Sequence, residues 1–214
     1  MDLGENQAIL SLSPERLLSI QQQEALTQPI KGTIARDSIQ EIDKANADTL
    51  QASIKNRAEN LMIVDLLRND LGKNCIAGSI KVPQLFKLES YPNVHHLVSS
   101  ITGTIKKEVS ALDVFEGCFP GGSITGAPKK RAMEIIEELE ECQRSVYCGS
   151  IAYINAKGDM DSNITIRTIA CDGEKLYCWG GGGIVADSTI EEEYNESLTK
   201  INALLEGLAL FSTH

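Results

Sequence analysis

Lys31 is the residue whose setting points most directly to chemistry, in the segment Pro29–Thr33 that reads Pro-Ile-Lys-Gly-Thr. A lysine amine attacks carbon only as the neutral base, and burial near another cationic group favours that form. Taken alone, the segment fits a solvated turn lysine better. Acidic residues before and after Lys31 and two glycine-rich segments further along reverse that preference. The sequence therefore predicts a nucleophilic lysine.

The two glycine-rich segments, Gly121–Gly126 and Gly180–Gly183, each precede a predicted helix. Backbone N–H groups at a helix start lack intrahelical partners, and together with the helix dipole they bind anions. Neither segment has the ending of a phosphate-binding P-loop or the spacing of a dinucleotide site, and tight turns use glycine as well. With Arg167 and Lys200 as candidate charge partners, the segments indicate a ligand with two carboxylates.

Glu59 and the pair His95-His96 are candidates whose partners the sequence leaves open. Glu59 enters an apolar helical segment, where an unpaired carboxylate is costly. Mg²⁺ held by carboxylates, water and substrate oxygens would satisfy it, and an ion pair with Arg57 or Arg68 would serve equally well. The histidines could act in acid–base chemistry, although a hydrogen-bonded histidine in a half-buried strand fits them better.

The last predicted helix carries two stripes of side chains. The apolar stripe, expected to be core, consists of Tyr194, Leu198, Ile201, Leu205 and Leu208. Glu193, Glu196 and Lys200 lie on nearly the opposite side of the helix. This polar stripe fits an exposed face with a Glu–Lys pair, and it also fits part of a binding site.

Composition excludes several classes of protein. The chain has 214 residues, 42% of them hydrophobic, and a net charge of −10, so no basic stripe is present to neutralise nucleic-acid phosphates. Six cysteines without CxxC or metal-ligand spacing indicate reduced thiols. No stretch approaches the ~20 apolar residues of a membrane span, and the start lacks signal-peptide features. We expect a cytoplasmic protein with no nucleic-acid or membrane partner.

Hydrophobic periodicity predicts an α+β fold, with antiparallel strands and flanking helices. Predicted helices cover residues 38–71, 111–118, 129–140 and 189–210, and predicted strands cover 7–13, 79–82, 97–105, 146–154, 163–171 and 175–179. We expect the last three strands to form a meander, with Arg167 on the face opposite the isoleucines. A capping box over Ser188–Glu191 is expected to start the last helix.

The chain resembles the chorismate-utilising enzymes along essentially its whole length. The matching segments are Ser13–Arg16, Pro29–Thr33, Arg57–Asn60, Phe119–Lys129, Ile166–Thr168, Gly181–Ser188 and Glu193–Glu196. The resemblance implies that residues 1–214 form a chorismate-binding catalytic domain, similar to the C-terminal half of the anthranilate synthase component I-like fold. The N-terminal half of that fold is absent from this sequence, and its loss would leave unpaired strand edges and exposed apolar surface.

Within the family, Lys31 indicates the branch that aminates chorismate, because anthranilate synthases usually have alanine there. The resemblance implies transfer of a nitrogenous group to C4 of chorismate, which gives 4-amino-4-deoxychorismate for para-aminobenzoate and folate synthesis. Lys31 matches the nucleophile that adds at C2 while the C4 hydroxyl leaves. Glu15 matches the general acid, and His96 lines the site near the leaving group. Ammonia then adds at C4 and expels the lysine.

The resemblance also implies a metal and a partner. Glu59 and Glu196 match ligands of Mg²⁺, with Glu193 nearby. The residues that match groups binding the two carboxylates of chorismate are Thr125, Tyr147, Arg167, Gly181, Gly182, Gly183 and Lys200. Because the sequence has no glutamine amidotransferase motif, ammonia is expected from a partner glutaminase. Alternatives are anthranilate or isochorismate synthesis, or a non-catalytic fragment that acts at most as an association module.

Overall fold

The computed structural model describes residues 1–186 and 188–211, so Asp187 of the Gly181–Ser188 segment and residues 212–214 lie outside the described part. The described residues form two compact units. Unit 1 consists of residues 1–14, 143–150 and the described residues from 164 onward, and unit 2 consists of residues 15–142 and 151–163.

Antiparallel strands and helices make up both units. The strands are β1 (Asp2–Gly4), β2 (Gln7–Ser11), β3 (Arg16–Gln21), β4 (Glu24–Thr27), β5 (Ile30–Ala35), β6 (Lys81–Ser90), β7 (Val94–Thr104), β8 (Ala152–Ile154), β9 (Met160–Asn163), β10 (Thr168–Asp172) and β11 (Lys175–Cys178). The helices are α1 (Gln40–Ala52), α2 (Ile54–Asn74), α3 (Ala111–Cys118), α4 (Lys129–Leu139) and α5 (Ile190–Phe211). The α+β prediction is confirmed. No helix in the described ranges combines the length and apolar character needed to cross a membrane.

The sheet of unit 2 is organised around β7. Its strand order is β5-β7-β4-β3-β9-β8, and β6 pairs with the other edge of β7. β4 and β5 share one edge, because β4 pairs with residues 101–104 of β7 and β5 with residues 94–98. The buried apolar side chains of this unit include Leu17, Leu18, Leu97, Ile101, Ile63, Val64 and Leu71. Most residues of β7 are buried, and α2 packs against this strand.

The predicted long helix over residues 38–71 is interrupted. Ser53 lies between α1 and α2, and its side chain accepts a hydrogen bond from the Asn56 N–H as the N-cap of α2. A serine hydroxyl satisfies a free amide at a helix start, which favours a new helix over continuation of the old one. The helix also extends beyond the predicted end at residue 71, since α2 continues through Gly72 to Asn74. Glycine inside a helix costs only about 1 kcal/mol.

The predicted meander of the last three strands is wrong. The strand expected over residues 163–171 is broken: β9 ends at Asn163, β10 begins at Thr168, and Arg167 adopts a positive φ of 47° between them. β8 and β9 belong to the sheet of unit 2, whereas β10 and β11 belong to the sheet of unit 1, whose order is β1-β2-β10-β11. Because the backbone turns at Arg167, the strand alternation that placed it opposite the isoleucines does not apply.

The apolar stripe of α5 is largely exposed, contrary to the expectation that it forms core. Tyr194, Leu198 and Leu205 are 63%, 41% and 45% exposed. A 3.6-residue period identifies an apolar face but not what covers it.

A hydrogen-bonded network in unit 2 joins α1 to the β6–β7 hairpin. Asp43 accepts hydrogen bonds from Arg36 Nε at 2.8 Å and Nη2 at 2.7 Å, and His95 Nε2 lies 3.0 Å from Asp43 Oδ1. The other ring nitrogen of His95 lies 2.8 Å from Ser90 Oγ, which agrees with the expectation of a hydrogen-bonded histidine. The hydrogen bonds from Arg36 lower the pKa of the Asp43 carboxyl group well below its ordinary value.

We expect Asp43→Asn to destabilise the protein at neutral pH and progressively less in acid. A carboxyl group whose pKa is lower in the folded state contributes stability above its unfolded pKa, about 3.9, and loses it as the pH falls further. The free energy of unfolding, measured with urea from pH 7 to pH 3, should therefore be higher for wild type than for the variant, and this difference should decrease below about pH 4. Asp48→Asn, at an exposed position of the same helix, is the control. A difference in unfolding free energy that stays constant from pH 7 to pH 3 would contradict this account of Asp43.

Candidate active site

Lys31 lies in an irregular stretch of β5, in unit 2. The pairing of β5 with β7 shifts register between Ile30 and Thr33, so Lys31 and Gly32 sit in a bulge. Gly32 has a φ of +86°, and a Cβ there would lie 2.8 Å from Leu50 Cδ1. Only glycine fits this conformation and close approach. Since bulges re-aim side chains, the Lys-Gly pair gives half-buried Lys31 an orientation that a regular strand would not.

His96 lies beside this bulge on the neighbouring strand β7. It pairs with Thr33 in the β5–β7 register, and its Nδ1 lies 2.8 Å from Thr33 Oγ1. The His96 side chain is buried, and the Tyr91 ring lies 5.5 Å away, centroid to centroid. The structure thus brings Lys31 and His96 to neighbouring strands, as the prediction of a shared site requires.

Glu15 is buried immediately before β3, and the next residue, Arg16, is hydrogen-bonded to the residue that precedes the Lys31 segment. Arg16 Nη1 donates to Gln28 Oε1 at 3.0 Å, and Gln28 immediately precedes Pro29–Thr33. Two further guanidinium nitrogens of Arg16 donate to the Asp161 carboxylate, each at 3.0 Å. Sequence reasoning did not single out this arginine, because its partners Gln28 and Asp161 lie 12 and 145 residues away along the chain.

Glu59 is half-buried on α2 beside a fully buried asparagine. Asn60 Oδ1 accepts from Ser99 Oγ at 2.5 Å, and Asn60 Nδ2 donates to the Leu97 carbonyl at 3.4 Å, so α2 is fixed in register on β7. Arg57 lies 5.0 Å from the centroid of the Phe86 ring.

The ion-pair alternative for Glu59 finds no support. Arg68 pairs with Asp65 at 2.9 Å, and Arg57 stacks on an aromatic ring. Among the residues that the structure describes, neither arginine is paired with Glu59.

The glycine-rich loop of unit 2, residues 119–128, connects α3 to α4. Gly121 and Gly122 are buried, and a Cβ on Gly122 would lie 2.7 Å from Leu66 Cδ2, so the loop backbone packs directly on α2. Thr125 is half-buried, and its hydroxyl donates to the Gly121 carbonyl at 3.0 Å. Ser123 Oγ is buried without a hydrogen-bond partner in the described structure. A polar atom left unsatisfied within the loop that is predicted to bind anions is a feature that the sequence did not reveal.

In unit 1 the second glycine-rich segment lies over the polar stripe of α5. A Cβ on Gly182 would lie 3.0 Å from Glu193 Oε2, 3.6 Å from Glu196 Oε1 and 3.7 Å from Lys200 Nζ. Lys200 Nζ donates to the Gly181 carbonyl at 3.2 Å and pairs with Glu196. The structure therefore places Glu193 and Glu196 beside the glycine segment, for which the sequence had suggested Lys200 as a charge partner.

Glu193 has one satisfied and one unsatisfied carboxylate oxygen. Oε1 accepts from the Ser188 hydroxyl, which itself accepts from the Val185 N–H at 3.0 Å. Oε2 is buried and, among the described residues, has no hydrogen-bond partner. A buried carboxylate oxygen without a donor is costly, which makes it a good ligand for a cation.

The predicted capping box at the start of α5 is displaced by one residue. Thr189, not Ser188, caps the helix: its hydroxyl lies 2.8 Å from Glu192 Oε2 and 3.4 Å from the Glu192 N–H. Ser188 lies three positions before Glu191, and Thr189 lies three positions before Glu192, so the local sequence pattern cannot choose between the two caps. With the cap on Thr189, the Ser188 side chain is available to bind Glu193.

Tyr147 and Arg167, the remaining predicted residues, lie in different settings within unit 1. A Cβ on Gly181 would lie 2.6 Å from Tyr147 Oη, and the Tyr147 ring stacks on Trp179 at 6.2 Å. Arg167 lies at the break before β10, where its carbonyl accepts from the Leu12 N–H at 3.1 Å. Tyr147 thus borders the glycine segment, whereas the described contact of Arg167 is with the end of β2.

The predicted site residues divide between the two units. Unit 2 contains Glu15, Lys31, Glu59, His96 and Thr125, and unit 1 contains Tyr147, Arg167, Gly181, Gly182, Gly183, Glu193, Glu196 and Lys200. Within residues 1–186 and 188–211, no group of three or more His, Cys, Asp or Glu side chains is arranged to hold a metal ion. A magnesium site therefore stays a prediction.

The model of the family of chorismate binding enzymes matches residues 1–206, and the chain belongs to this family. Component 1 of aminodeoxychorismate synthase is 53% identical in Salmonella typhimurium, over 94% of this chain and 44% of that protein. The same component in Escherichia coli is 53% identical, over 95% and 45%.

A solved structure agrees with this assignment. Anthranilate synthase component I from Streptococcus pneumoniae superposes with a TM-score of 0.84 at 38% identity, over 93% of this chain and 44% of that one. The predicted likeness to an anthranilate synthase-type fold is thereby confirmed. The chain spans less than half the length of these relatives.

Proposed function

We propose that the chain carries the catalytic residues of an enzyme that aminates chorismate at C4, giving 4-amino-4-deoxychorismate for para-aminobenzoate and folate synthesis. The observation that carries this choice is Lys31, a half-buried amine in the bulge of β5, beside His96 on β7. The names of the relatives at 53% identity support the same reaction.

In the proposed reaction Lys31 acts as a nucleophile. Its neutral amine adds to C2 of chorismate, the ring double bonds shift, and the C4–O bond breaks. Hydroxide is a poor leaving group, so Glu15 donates a proton and water departs. Glu15 is buried and lies in the same unit as Lys31. Ammonia then adds at C4, the double bonds shift back, and the C2–N bond to Lys31 breaks.

The residues of unit 1 fit a cation next to an anionic substrate. Glu193 Oε2 is buried and lacks a hydrogen-bond donor in the described structure, and the Glu196 carboxylate also lies next to Gly182. We propose that both bind Mg²⁺. The ion would polarise substrate oxygens and offset negative charge. Lys200, Tyr147, Arg167, Thr125 and the amides of Gly181–Gly183 are proposed to bind the substrate carboxylates.

The nitrogen is proposed to come from a glutaminase partner. The family resemblance implies this partner, because the chain itself has no glutamine amidotransferase motif. Free ammonium should replace the partner in a test of the chemistry.

Product analysis tests the proposed function. We expect the purified protein, given chorismate, ammonium and Mg²⁺, to form a product with the mass of 4-amino-4-deoxychorismate, and glutamine to replace ammonium only when a glutaminase subunit is added. Fluorescent anthranilate, or isochorismate separated by chromatography, would contradict the proposal. Calorimetry with chorismate and Mg²⁺ addresses the fragment alternative, because a protein without an assembled site should not bind.

Anthranilate synthesis is the second candidate. The structural likeness to anthranilate synthase component I favours it, and the same assay decides, since only this reaction releases a fluorescent aromatic amine directly.

A further inference from the structure

We propose that Lys129, bound to buried Asp70, is a positioning residue that holds both ends of the 119–128 loop, which contains Thr125. Substrate binding by the loop rests on the proposed function, whereas the anchoring of the loop by Lys129 does not depend on it. Lys129 is the first residue of α4, and Cys118 is the last residue of α3, so these two residues bracket the loop.

The Lys129 ammonium group connects both ends of the loop to α2. Lys129 Nζ donates to Asp70 Oδ2 at 2.5 Å and to the Cys118 carbonyl at 3.2 Å. Asp70, on α2, is 1% exposed. The loop is therefore closed by a hydrogen bond between its two ends, and the closure is fixed to α2 through a charged pair.

The loop has a second anchor on the same face of α2. Leu66 lies four residues before Asp70, so both side chains share one helical face. Gly122 packs on Leu66 so closely that a Cβ would lie 2.7 Å from Leu66 Cδ2. With both contacts in place, the amides between Gly122 and Lys129 have little freedom, which is what a site needs if it is to bind an anion without reordering.

The energetics favour a positioning role over a stabilising one. The Lys129 and Asp70 side chains are 15% and 2% exposed, so both lose hydration. Buried ion pairs gain little net stability over apolar side chains of similar volume, and their best-attested use is to specify a unique register. We infer that this pair sets where α4 begins relative to α2.

Lys73 provides a matched control on the same carboxylate. Its Nζ donates to Asp70 Oδ1 at 3.0 Å and to the Gly117 carbonyl at 3.2 Å, and its side chain is 54% exposed. Asp70 and Gly117 both precede the loop in sequence. Removing the Lys73 ammonium group therefore leaves the hydrogen bond between Lys129 and the Cys118 carbonyl in place. Conversely, Lys129→Gln leaves Asp70 with Lys73 as its counter-ion.

The experiment compares Lys129→Gln with Lys73→Gln by hydrogen exchange of the loop amides and by steady-state kinetics. We expect Lys129→Gln to speed exchange over residues 119–128 about ten-fold and to raise the KM for chorismate about ten-fold while kcat changes less than about three-fold. Lys73→Gln should leave both readouts near wild type. If Lys129→Gln does not fold, Lys129→Met keeps most of the aliphatic stem without the ammonium group.

Two outcomes would overturn the proposal. One is unchanged loop exchange in a folded Lys129 variant, and the other is an equal effect of the two lysine substitutions. If wild-type protein neither binds nor converts chorismate, the proposed function fails, and hydrogen exchange still decides whether Lys129 anchors the loop.

Discussion

Lys31→Ala is expected to lower the rate of ammonia-dependent product formation from chorismate by about a thousand-fold or more, since loss of a covalent or acid–base group costs this much in other enzymes. The alanine side chain cannot form a bond to C2, so departure of the C4 hydroxyl would have no assisting nucleophile. Folding should be little affected, because Lys31 is only half-buried and Gly32 supplies the positive φ that the bulge needs. Product formation measured by mass spectrometry, with a thermal melt of both proteins, checks this result.

Lys55→Ala is the matched control, because Lys55 is exposed near the start of α2, in the same unit. Its turnover should equal that of wild type. Intact-mass analysis of protein quenched during turnover should show a ring adduct on wild type that is absent from Lys31→Ala. Full turnover by a folded Lys31→Ala protein would exclude the covalent route.

Glu193→Gln is expected to lower the Mg²⁺-dependent rate by about a hundred- to a thousand-fold. Glutamine keeps the size of the side chain and leaves an oxygen for the Ser188 hydroxyl, but it removes the charge from the buried oxygen that has no donor in the described structure. The affinity for Mg²⁺, measured by calorimetry in the absence of chorismate, should fall in parallel.

The stability of the metal-free Glu193→Gln variant should not fall, in contrast to its rate and its Mg²⁺ affinity. A buried, unpaired charge destabilises the folded state, so the metal-free Glu193→Gln variant should unfold at the same or a higher urea concentration than metal-free wild type. Glu191→Gln, at an exposed position in the first turn of α5, is the control and should change neither rate nor affinity. Unaltered Mg²⁺ affinity in Glu193→Gln would remove this residue from the proposed metal site.

The sequence determined those features whose signals are local. Helix α3 spans the predicted residues 111–118, because Ser110 and Asp113 form a capping box within one turn. The boundary between β10 and β11 also lies close to the prediction, since the predicted strands end at residue 171 and begin at residue 175. Helical periodicity correctly placed Glu193, Glu196 and Lys200 on one face, since side chains three and four residues apart are neighbours on a helix.

Only the tertiary structure decided where distant segments meet. Arg167 breaks what reads as one strand, because the residues before and after it pair in different sheets. The bulge at Lys31 depends on the register with β7, and the unsatisfied oxygen of Glu193 depends on where Gly182 lies. Contacts between residues far apart in sequence leave no periodic pattern along the chain. For that reason the sequence could propose candidate site residues, whereas the backbone geometry around them emerged only from the folded protein.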